Sequence, residues 1–208
     1  MKEQVISLRN VEKCYGRQKV LAVPRLALLL NQRVILRGPN GSGKSTLLRL
    51  IAGICLPNKG ELVREVELLG PRLGYVPQSG GLIDELSVDR NLDQRRRLYG
   101  LPANNDGKEQ LFVRAGLVDS RTKRFAELSG GRQRLAAIAA ALYVEPTWLL
   151  IDEPFTGVDG IRRAAIEQLL EERAPNTHLL VVTSPESEEF LFAASEVISL
   201  KNGNVDIS

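Results

Sequence analysis

The chain has 208 residues and a net charge of +3, from 28 basic and 25 acidic side chains. This length suits one domain with a small inserted lobe, and 43% hydrophobic residues are enough for a buried core, which excludes a disordered chain. The charge is too mild for a typical nucleic-acid-binding protein, whose basic residues cluster in a stripe, so no nucleic-acid partner is expected.

Two features of the composition indicate the cellular setting. Cys14 and Cys55 are the only cysteines and lack metal-ligand or C-x-x-C spacing, so both are expected to be reduced thiols in a cytosolic protein. No stretch approaches the ~18–20 apolar residues of a membrane span, and the N-terminus begins directly with folded-domain patterning, which predicts no signal peptide. Work at a membrane would require another chain to supply the spanning part.

The first part of the chain is predicted to be mostly β-structure. Residues 5–9 alternate between apolar and polar, as in a half-buried strand. Residues 10–16 predict a loop that exposes one aromatic side chain, Tyr15. Residues 20–30 contain strand material that Pro24 is expected to break.

A glycine-rich stretch between a strand and a helix carries the strongest functional signal. Residues 34–36 are apolar and predict a buried strand, and the helix after the loop should end near Gly53. Between them stand Gly38, Pro39, Asn40, Gly41, Ser42, Gly43, Lys44, Ser45 and Thr46. Glycines let backbone N–H groups approach an anion, Lys44 adds charge for the outer phosphates, and the Ser45 hydroxyl can bind Mg²⁺. A turn that binds nothing is disfavoured by this context, so the loop predicts nucleoside triphosphate binding.

The middle of the chain is predicted to change from strands to helices. A turn at 57–60 leads to a strand over 61–69 and a short strand over 73–78. From 79 to 128 apolar residues recur at helical spacing, which predicts a small helical insertion. The basic run 95–97 is expected to form a solvated helix face.

The remaining elements alternate in a way that is typical of an α/β protein. They are two helices, two apolar strands and a final hairpin. In chain order they are a helix over 132–144, a strand over 148–151, a helix over 161–173, a strand over 179–183 and a hairpin over 197–207.

Asp152 and Glu153 directly follow the apolar strand 148–151. Two acids at the carboxyl end of a buried strand lie where open α/β sheets bind ligands. One carboxylate can hold Mg²⁺ or its water, and the other can take a proton from an attacking water. With a phosphate loop in the same chain, this interpretation is favoured over a pair of solvated loop acids.

Ser129, Gly130 and Gly131 open the alanine-rich helix and form a second potential anion site. Taken alone, they would be interpreted as an N-cap serine followed by two turn glycines. The first loop already holds one nucleotide's phosphates, however. A second phosphate-binding helix start therefore suggests a sandwich in which one subunit's Ser129 loop closes over its partner's nucleotide.

Together these motifs resemble the nucleotide-binding subunit of ATP-binding cassette (ABC) transporters. The resemblance covers nearly all of the chain and rests on the loop at 38–46, on 75–78 (Tyr-Val-Pro-Gln), on 128–131 (Leu-Ser-Gly-Gly) and on 149–154 (Leu-Leu-Ile-Asp-Glu-Pro). It implies an α/β fold with a P-loop NTPase core, whose mixed sheet is flanked by helices. An N-terminal antiparallel β subdomain and an inserted helical subdomain at about 79–128 would complete one domain over 1–208.

The resemblance also implies roles for individual residues. Tyr15 would stack on the adenine ring, and Gln78 would touch Mg²⁺ and sense the membrane partner. Asp152 would support the metal together with Ser45, and Glu153 would be the general base. The signature loop that reaches the partner's ATP would comprise Ser129, Gly130, Gly131 and Gln133, and Asp159 would bridge the dimer interface.

Residue 184 departs from the family pattern. The family normally has a histidine just after the last core strand, in contact with the γ-phosphate, whereas Ser184 stands at that position here. The only histidine, His178, precedes the strand and should lie at its opposite end. Loss of one preorganised contact typically costs ~10²–10³ in rate, so slow hydrolysis is expected at this chain's own site.

The resemblance implies an ATPase subunit that uses ATP and Mg²⁺ and powers a transporter through ATP-driven dimerisation. Its partners would be integral membrane subunits and a second cassette, as homodimer or heterodimer, at the cytoplasmic face of a bacterial membrane. An ATP-binding regulatory switch with little turnover is the alternative: Ser184 favours it, while Glu153, Gln78 and Ser129 oppose it. The sequence does not predict cargo or direction of transport.

Overall fold

The computed structural model describes residues 3–70, 72–173, 176–185 and 193–207, which form nine strands and six α-helices. The strands are β1 Gln4–Tyr15, β2 Gln18–Leu29, β3 Gln32–Arg37, β4 Lys59–Arg64, β5 Leu73–Val76, β6 Trp148–Ile151, β7 Leu179–Ser184, β8 Glu196–Lys201 and β9 Asn204–Ile207. The helices are α1 Lys44–Ala52, α2 Val66–Leu69, α3 Val88–Leu98, α4 Asn105–Arg114, α5 Gly130–Tyr143 and α6 Gly160–Arg173. Short 3₁₀ turns lie at 118–120 and 125–127.

All nine strands belong to one mixed sheet in the order β4-β1-β2-β9-β8-β3-β7-β6-β5. The run β8-β3-β7-β6-β5 is parallel, while β1 pairs antiparallel with both β2 and β4. The antiparallel strands join the parallel core through β9, which pairs with β2 at Ala22. The predicted α/β fold with a mixed sheet and helices is confirmed. The division into subdomains, with a helical insertion at about 79–128, stays a prediction, although α3 and α4 lie in that segment.

The parallel strands are covered on both faces. Along β3, Val34 and Leu36 pack into the same core cluster as α1, while Ile35 packs with α5 and α6 on the other side. Such double coverage explains the unbroken apolar runs of β6 and β7. Because β3, β6 and β7 are parallel, their carboxyl ends meet at one edge of the sheet.

Helix α3 covers the free edge of β5 with side-chain hydrogen bonds. Arg95 Nη2 donates to the Tyr75 carbonyl at 2.7 Å, and the Tyr99 hydroxyl donates to the Leu73 carbonyl at 2.6 Å. Arg96 is buried and donates to the Tyr143 carbonyl at the end of α5. The predicted solvated face over 95–97 is therefore wrong at these two arginines, because the carbonyls they satisfy come from distant segments.

Several predicted boundaries are wrong where sheet pairing overrides local signals. The segment 10–16 was expected to be a loop, but β1 continues to Tyr15, with Asn10 at φ 48° absorbing an irregularity in its pairing with β4. Pro24 does not break β2, because the pairing with β1 continues on both sides of it, at Val23 and at Arg25. The strand expected over 61–69 ends at Arg64 and gives way to α2.

Other local predictions are confirmed. Gly53 ends α1 at φ 78°, as a C-terminal glycine should. The hairpin of β8 and β9 turns at Asn202 and Gly203, where both residues have positive φ.

Candidate active site

The phosphate loop lies between β3 and α1, at the carboxyl edge of the sheet. Gly43 adopts φ 101° just before α1, and a Cβ there would lie 3.1 Å from the Val20 carbonyl oxygen. A Cβ on Gly38 would collide with the Leu200 carbonyl oxygen. Both positions therefore require glycine, and the loop presents backbone N–H groups at the positive end of the α1 dipole.

Lys44 is held inside the loop. Its side chain is 4% exposed, and Nζ donates to the carbonyl oxygens of Gly38 at 2.7 Å and Pro39 at 3.0 Å. The same nitrogen lies 3.9 Å from Glu153 Oε1. The cavity beside it measures about 330 Å³. It is lined by Val20, Asn40, Gly41, Gly43, Lys44, Ser45, Thr46, Gln78 and Glu153.

Asp152 is fully buried and is oriented by two hydroxyls. Its Oδ1 accepts from Ser45 Oγ at 3.0 Å and from Thr183 Oγ1 at 2.6 Å. Its Oδ2 is buried and has no hydrogen-bond partner among the described residues. A carboxylate oxygen left bare next to a serine hydroxyl fits a hard, oxygen-seeking cation.

The residues around the bare oxygen of Asp152 are compatible with a Mg²⁺ site. Within the described segments, no group of three or more His, Cys, Asp or Glu side chains could hold a metal ion. Magnesium is usually held by one or two carboxylates, waters and substrate phosphates, so a single aspartate and a serine are sufficient protein ligands.

Glu153 occupies a left-handed backbone conformation at φ 49° and is 7% exposed. Its Oε2 accepts from Gln78 Nε2 at 2.8 Å and from Thr156 Oγ1 at 2.9 Å. Its backbone N–H donates to Thr183 Oγ1 at 2.8 Å. The structure therefore brings together Glu153, Gln78 and Lys44, as expected for a base beside a phosphate site.

Sequence reasoning missed Thr183. One hydroxyl on β7 both orients the Asp152 carboxylate and fixes the backbone of Glu153. The parallel pairing of β6 with β7 places these residues side by side at the sheet edge. Only the strand register reveals this arrangement, although an unusual threonine at the end of an apolar run was a weak signal.

The hydroxyl of Thr183 has a measurable consequence for metal binding. We expect Thr183→Val to lower Mn²⁺ affinity in the presence of ADP about tenfold, because a residue that orients a ligand typically contributes ~10–100-fold. Electron paramagnetic resonance of free Mn²⁺ measures this without turnover. Thr177→Val is the matched control, since Thr177 is also buried but lies before the start of β7, where its hydroxyl donates to the Arg173 carbonyl. Equal Mn²⁺ affinity in wild type and Thr183→Val would contradict the assignment.

The signature residues lie at the start of α5. Ser129 occupies the N-cap position, makes no capping hydrogen bond with its side chain, and is exposed together with Gly130. Gly131 is buried, and Gln133 Nε2 donates to the Phe125 carbonyl at 3.1 Å. A second cavity of about 190 Å³ lies here. It is lined by Gln78, Ser79, Gly80, Gly130, Gln133, Arg134, Thr156 and Gly157.

Three more predicted site residues, Tyr15, Ser184 and Asp159, do not line the cavity that contains Lys44. Tyr15 is 47% exposed, and Lys13 Nζ lies 5.4 Å above its ring. Ser184 is fully buried; its hydroxyl donates to the Pro185 carbonyl at 2.9 Å and its own carbonyl accepts from the Gly38 N–H. Asp159 is exposed, and its Oδ1 accepts a hydrogen bond from the Arg162 backbone N–H at 3.0 Å.

His178 lies where the sequence predicts, just before β7 and so at the opposite end of that strand from the acids. Its backbone N–H donates to the Thr147 carbonyl at 2.5 Å, and its backbone carbonyl accepts from the Asn31 backbone N–H at 2.6 Å. The residue therefore lies at the amino-terminal ends of the parallel strands and takes no part in the candidate site.

Arg134 is the second residue that sequence reasoning missed. It projects from α5, is 6% exposed, and contacts backbone carbonyls on both sides of the candidate site. Burial lowers its pKa to about 10, and the negative charges of Asp152 and Glu153 act in the opposite direction. It therefore keeps its positive charge at neutral pH.

A family model for ABC transporters matches residues 24–156, more than half of the chain. The Fe(3+) ions import ATP-binding protein FbpC of Pseudomonas fluorescens Pf-5 is 34% identical over 207 residues, which cover 90% of this chain and 56% of that protein. The sulfate/thiosulfate import ATP-binding protein CysA of Gloeobacter violaceus is 32% identical, covering 97% and 61%. The chain therefore spans less than two thirds of the length of these curated relatives.

Solved structures agree with these sequence matches. The dimeric structure of MJ0796, a bacterial ABC transporter cassette, is 27% identical and superposes with a TM-score of 0.81, covering 97% of this chain and 96% of that one. A post-hydrolysis dimer of the same cassette, bound to ADP and Pi, is 26% identical with a TM-score of 0.78 at the same coverage. In the parts of this chain that the structure describes, no helix is both long and apolar enough to cross a membrane.

Proposed function

The chain belongs to the ABC transporter family of ATP-binding proteins, and we propose that it binds and hydrolyses ATP as the energy-supplying subunit of a membrane transporter. The proposal rests above all on one cavity that combines a phosphate loop, a buried lysine and the hydrogen-bonded pair of Gln78 and Glu153. These are the groups that phosphoryl transfer to water requires: a phosphate cradle, a cation and a base.

The protein's own groups account for binding and for proton transfer. The backbone N–H groups of 38–46 and the Lys44 ammonium would hold the β- and γ-phosphates. The Gln78 amide orients the Glu153 carboxylate. Glu153 would then accept the proton of the attacking water. Catalysis is mainly positioning and charge stabilisation, as is usual in this reaction.

Ser45 and Asp152 would hold Mg²⁺, and Gln78, which lines the same cavity as Ser45, would contribute. When bound, this ion would supply positive charge that offsets the charge of the phosphates. The bare Oδ2 of Asp152 supports the proposal, and the Ser45 and Thr183 hydroxyls keep the other oxygen engaged.

A second cassette would complete the site. The exposed Ser129 hydroxyl and the glycines after it would close over the nucleotide of a partner copy, and the exposed Asp159 would lie at that interface. The dimeric state of the similar cassette MJ0796 supports this proposal. Tyr15 would stack on adenine once nucleotide binds, and the exposure of its side chain supports this role.

The remaining partners would be integral membrane subunits, with this chain peripheral at the cytoplasmic face. Relatives named as import ATP-binding proteins support a role in transport. Co-purification of the chain with its membrane subunits, with measured stoichiometry, tests this part of the proposal. An absence of any membrane partner would contradict it.

A regulatory ATP-binding switch with little turnover is the second candidate. Ser184 favours it, because a buried serine that donates to Pro185 lacks the charge of the family's usual histidine. The intact arrangement of Glu153 and Gln78 favours hydrolysis. Steady-state ATPase measurements on the assembled complex separate the two functions.

Lys44→Ala tests the nucleotide site directly. Loss of a charge-assisted contact of about 1.5–3 kcal/mol predicts roughly 10–100-fold weaker ATP binding. Equilibrium binding of labelled ATP measures the dissociation constant, and Lys123→Ala, at an exposed lysine of the segment before α5, is the control. Equal affinity in Lys44→Ala and wild type would exclude the loop as the phosphate site.

A further inference from the structure

A single guanidinium joins the two backbone segments that carry Gln78 and Glu153. Arg134 Nη1 donates to the Pro77 carbonyl and approaches the Gln78 carbonyl at 3.5 Å. Its Nη2 donates to the Asp152 carbonyl and its Nε to the Pro154 carbonyl at 3.4 Å. The four acceptors are the carbonyls before and at Gln78 and those before and after Glu153.

We propose that Arg134 is a positioning residue that holds the Gln78–Glu153 pair in its productive geometry and couples that pair to the start of α5. The catalytic part of this inference rests on the proposed function. The structural part stands on the hydrogen bonds themselves.

The conformation of Glu153 explains why this segment needs the four contacts of Arg134, which together act as a clamp. Its backbone lies at φ 49°, a region that a residue with a Cβ occupies only when its surroundings impose it. Thr183 fixes the N–H of Glu153, and Arg134 fixes the carbonyls on both sides. Without Arg134, the carbonyls on both sides of Glu153 lose these donors, and the 2.8 Å bond from Gln78 to Glu153 loses the guanidinium that supports both of its segments.

A lysine cannot replace this clamp. The planar guanidinium spreads five N–H donors over a rigid fork, whereas an ammonium is a compact point donor on a flexible stem. Arg134 is 6% exposed, so its donors are satisfied by the protein. Arg134→Lys therefore retains the charge while losing the ability to bridge two segments.

The location of Arg134 on α5 gives the clamp a second consequence. The helix begins at Gly130, immediately after the exposed Ser129, and Arg134 lies about one turn further on. A helix moves as a rigid unit, so a displacement at its start carries the guanidinium with it. Engagement of Ser129 by a partner's nucleotide would thus be transmitted to the base and to Gln78 through backbone carbonyls.

The test compares Arg134→Lys with Arg96→Lys. Arg96 is a matched control because it is also buried and donates to main-chain carbonyls, but at Pro102 and at Tyr143 on the far end of α5. Hydrogen–deuterium exchange reports on peptides covering 76–80 and 152–158, and kinetics give kcat and KM for ATP. Arg134→Gln provides a second variant that removes the charge as well.

We expect Arg134→Lys to raise exchange about tenfold in both peptides, because local opening follows the loss of the contacts that close it. The kcat should fall about 10–100-fold, since small misplacements of catalytic groups have effects of this order. The ATP KM should change less than about twofold, because Lys44 and the phosphate loop are intact. The Arg96→Lys control should leave both peptides and kcat near wild type.

A double-mutant cycle with Gln78→Ala separates positioning from general destabilisation. If Arg134 acts through the pair, its kcat effect should shrink at least severalfold when Gln78 is already removed. Unchanged exchange in both peptides, an equal loss in Arg96→Lys, or full additivity in the cycle would overturn the inference. A wild-type protein without ATPase activity would instead contradict the proposed function, and the exchange comparison would still decide the structural role of Arg134.

Discussion

Replacement of Glu153 by glutamine is expected to lower kcat for ATP hydrolysis by about 10²–10⁴-fold, the usual contribution of a general base. Glutamine has the same shape but cannot accept a proton from the attacking water. Its side-chain oxygen can still accept the hydrogen bond from Gln78, which is 2.8 Å long in the wild-type protein. The surrounding geometry should therefore persist. The loss would therefore be chemical and not structural.

Nucleotide binding should move in the opposite direction in the same variant. Glu153 Oε1 lies 3.9 Å from Lys44 Nζ, so its charge opposes that of the phosphates that Lys44 would bind. Removing the charge should keep or tighten ATP affinity, and an ATP-bound dimer should accumulate because it can no longer be reopened by hydrolysis. Phosphate release measures kcat, and light scattering after gel filtration measures the dimer.

Glu145→Gln is the matched control for this experiment. Glu145 also has positive φ, at 51°, and also pairs with a basic group, Arg96 at 3.3 Å, but it lies at the other end of α5. Its replacement should leave kcat within about twofold, because Arg96 keeps its bonds to the Pro102 and Tyr143 carbonyls and the pair lies away from the candidate site. Turnover by Glu153→Gln close to wild type would assign the base to another group.

The phosphate loop was predictable because its signals are local. Gly38 and Gly43 are required by close backbone approaches, and the strand before the loop and the helix after it show in their own composition. The acids after β6 were predictable for the same reason. Each of these features is formed by residues that are adjacent in the sequence, so the local order of residue types is enough to recognise it.

The supporting residues were not predictable, because their partners lie far away in the chain. Thr183 reaches Asp152 from another strand, and Arg134 reaches Pro77 from another element altogether. Likewise, Arg95 and Arg96 follow the pattern of a solvated face, yet their acceptors are backbone carbonyls of β5 and α5. Backbone carbonyls leave no trace in the sequence, so such contacts appear only with the tertiary structure.

Ser184→His is expected to raise kcat by about 10²–10³-fold in the assembled complex, provided that the hypothesis of a slow site is correct. This range is the typical effect of one preorganised contact to the transferring group. The residue ends β7 beside Arg37, and its carbonyl accepts from the N–H of Gly38, the first residue of the phosphate loop. A side chain at position 184 is therefore attached to the backbone directly beside the start of the phosphate loop.

The gain has a structural cost that must be measured alongside it. Ser184 is fully buried, and its hydroxyl donates to the Pro185 carbonyl, so a larger imidazole must displace neighbours. Overpacking of this kind typically destabilises a protein by about 1–3 kcal/mol. Thermal unfolding of each variant separates a failure to fold from a failure to accelerate hydrolysis.

Ser184→Asn distinguishes imidazole chemistry from the filling of space. Asparagine is larger than serine and polar, but it cannot become charged near neutral pH, as histidine can. Acceleration by histidine and not by asparagine would show that the wild-type site lacks an ionisable contact to the γ-phosphate. A folded Ser184→His protein with wild-type turnover would refute the slow-site hypothesis, and with it the main argument for a regulatory switch.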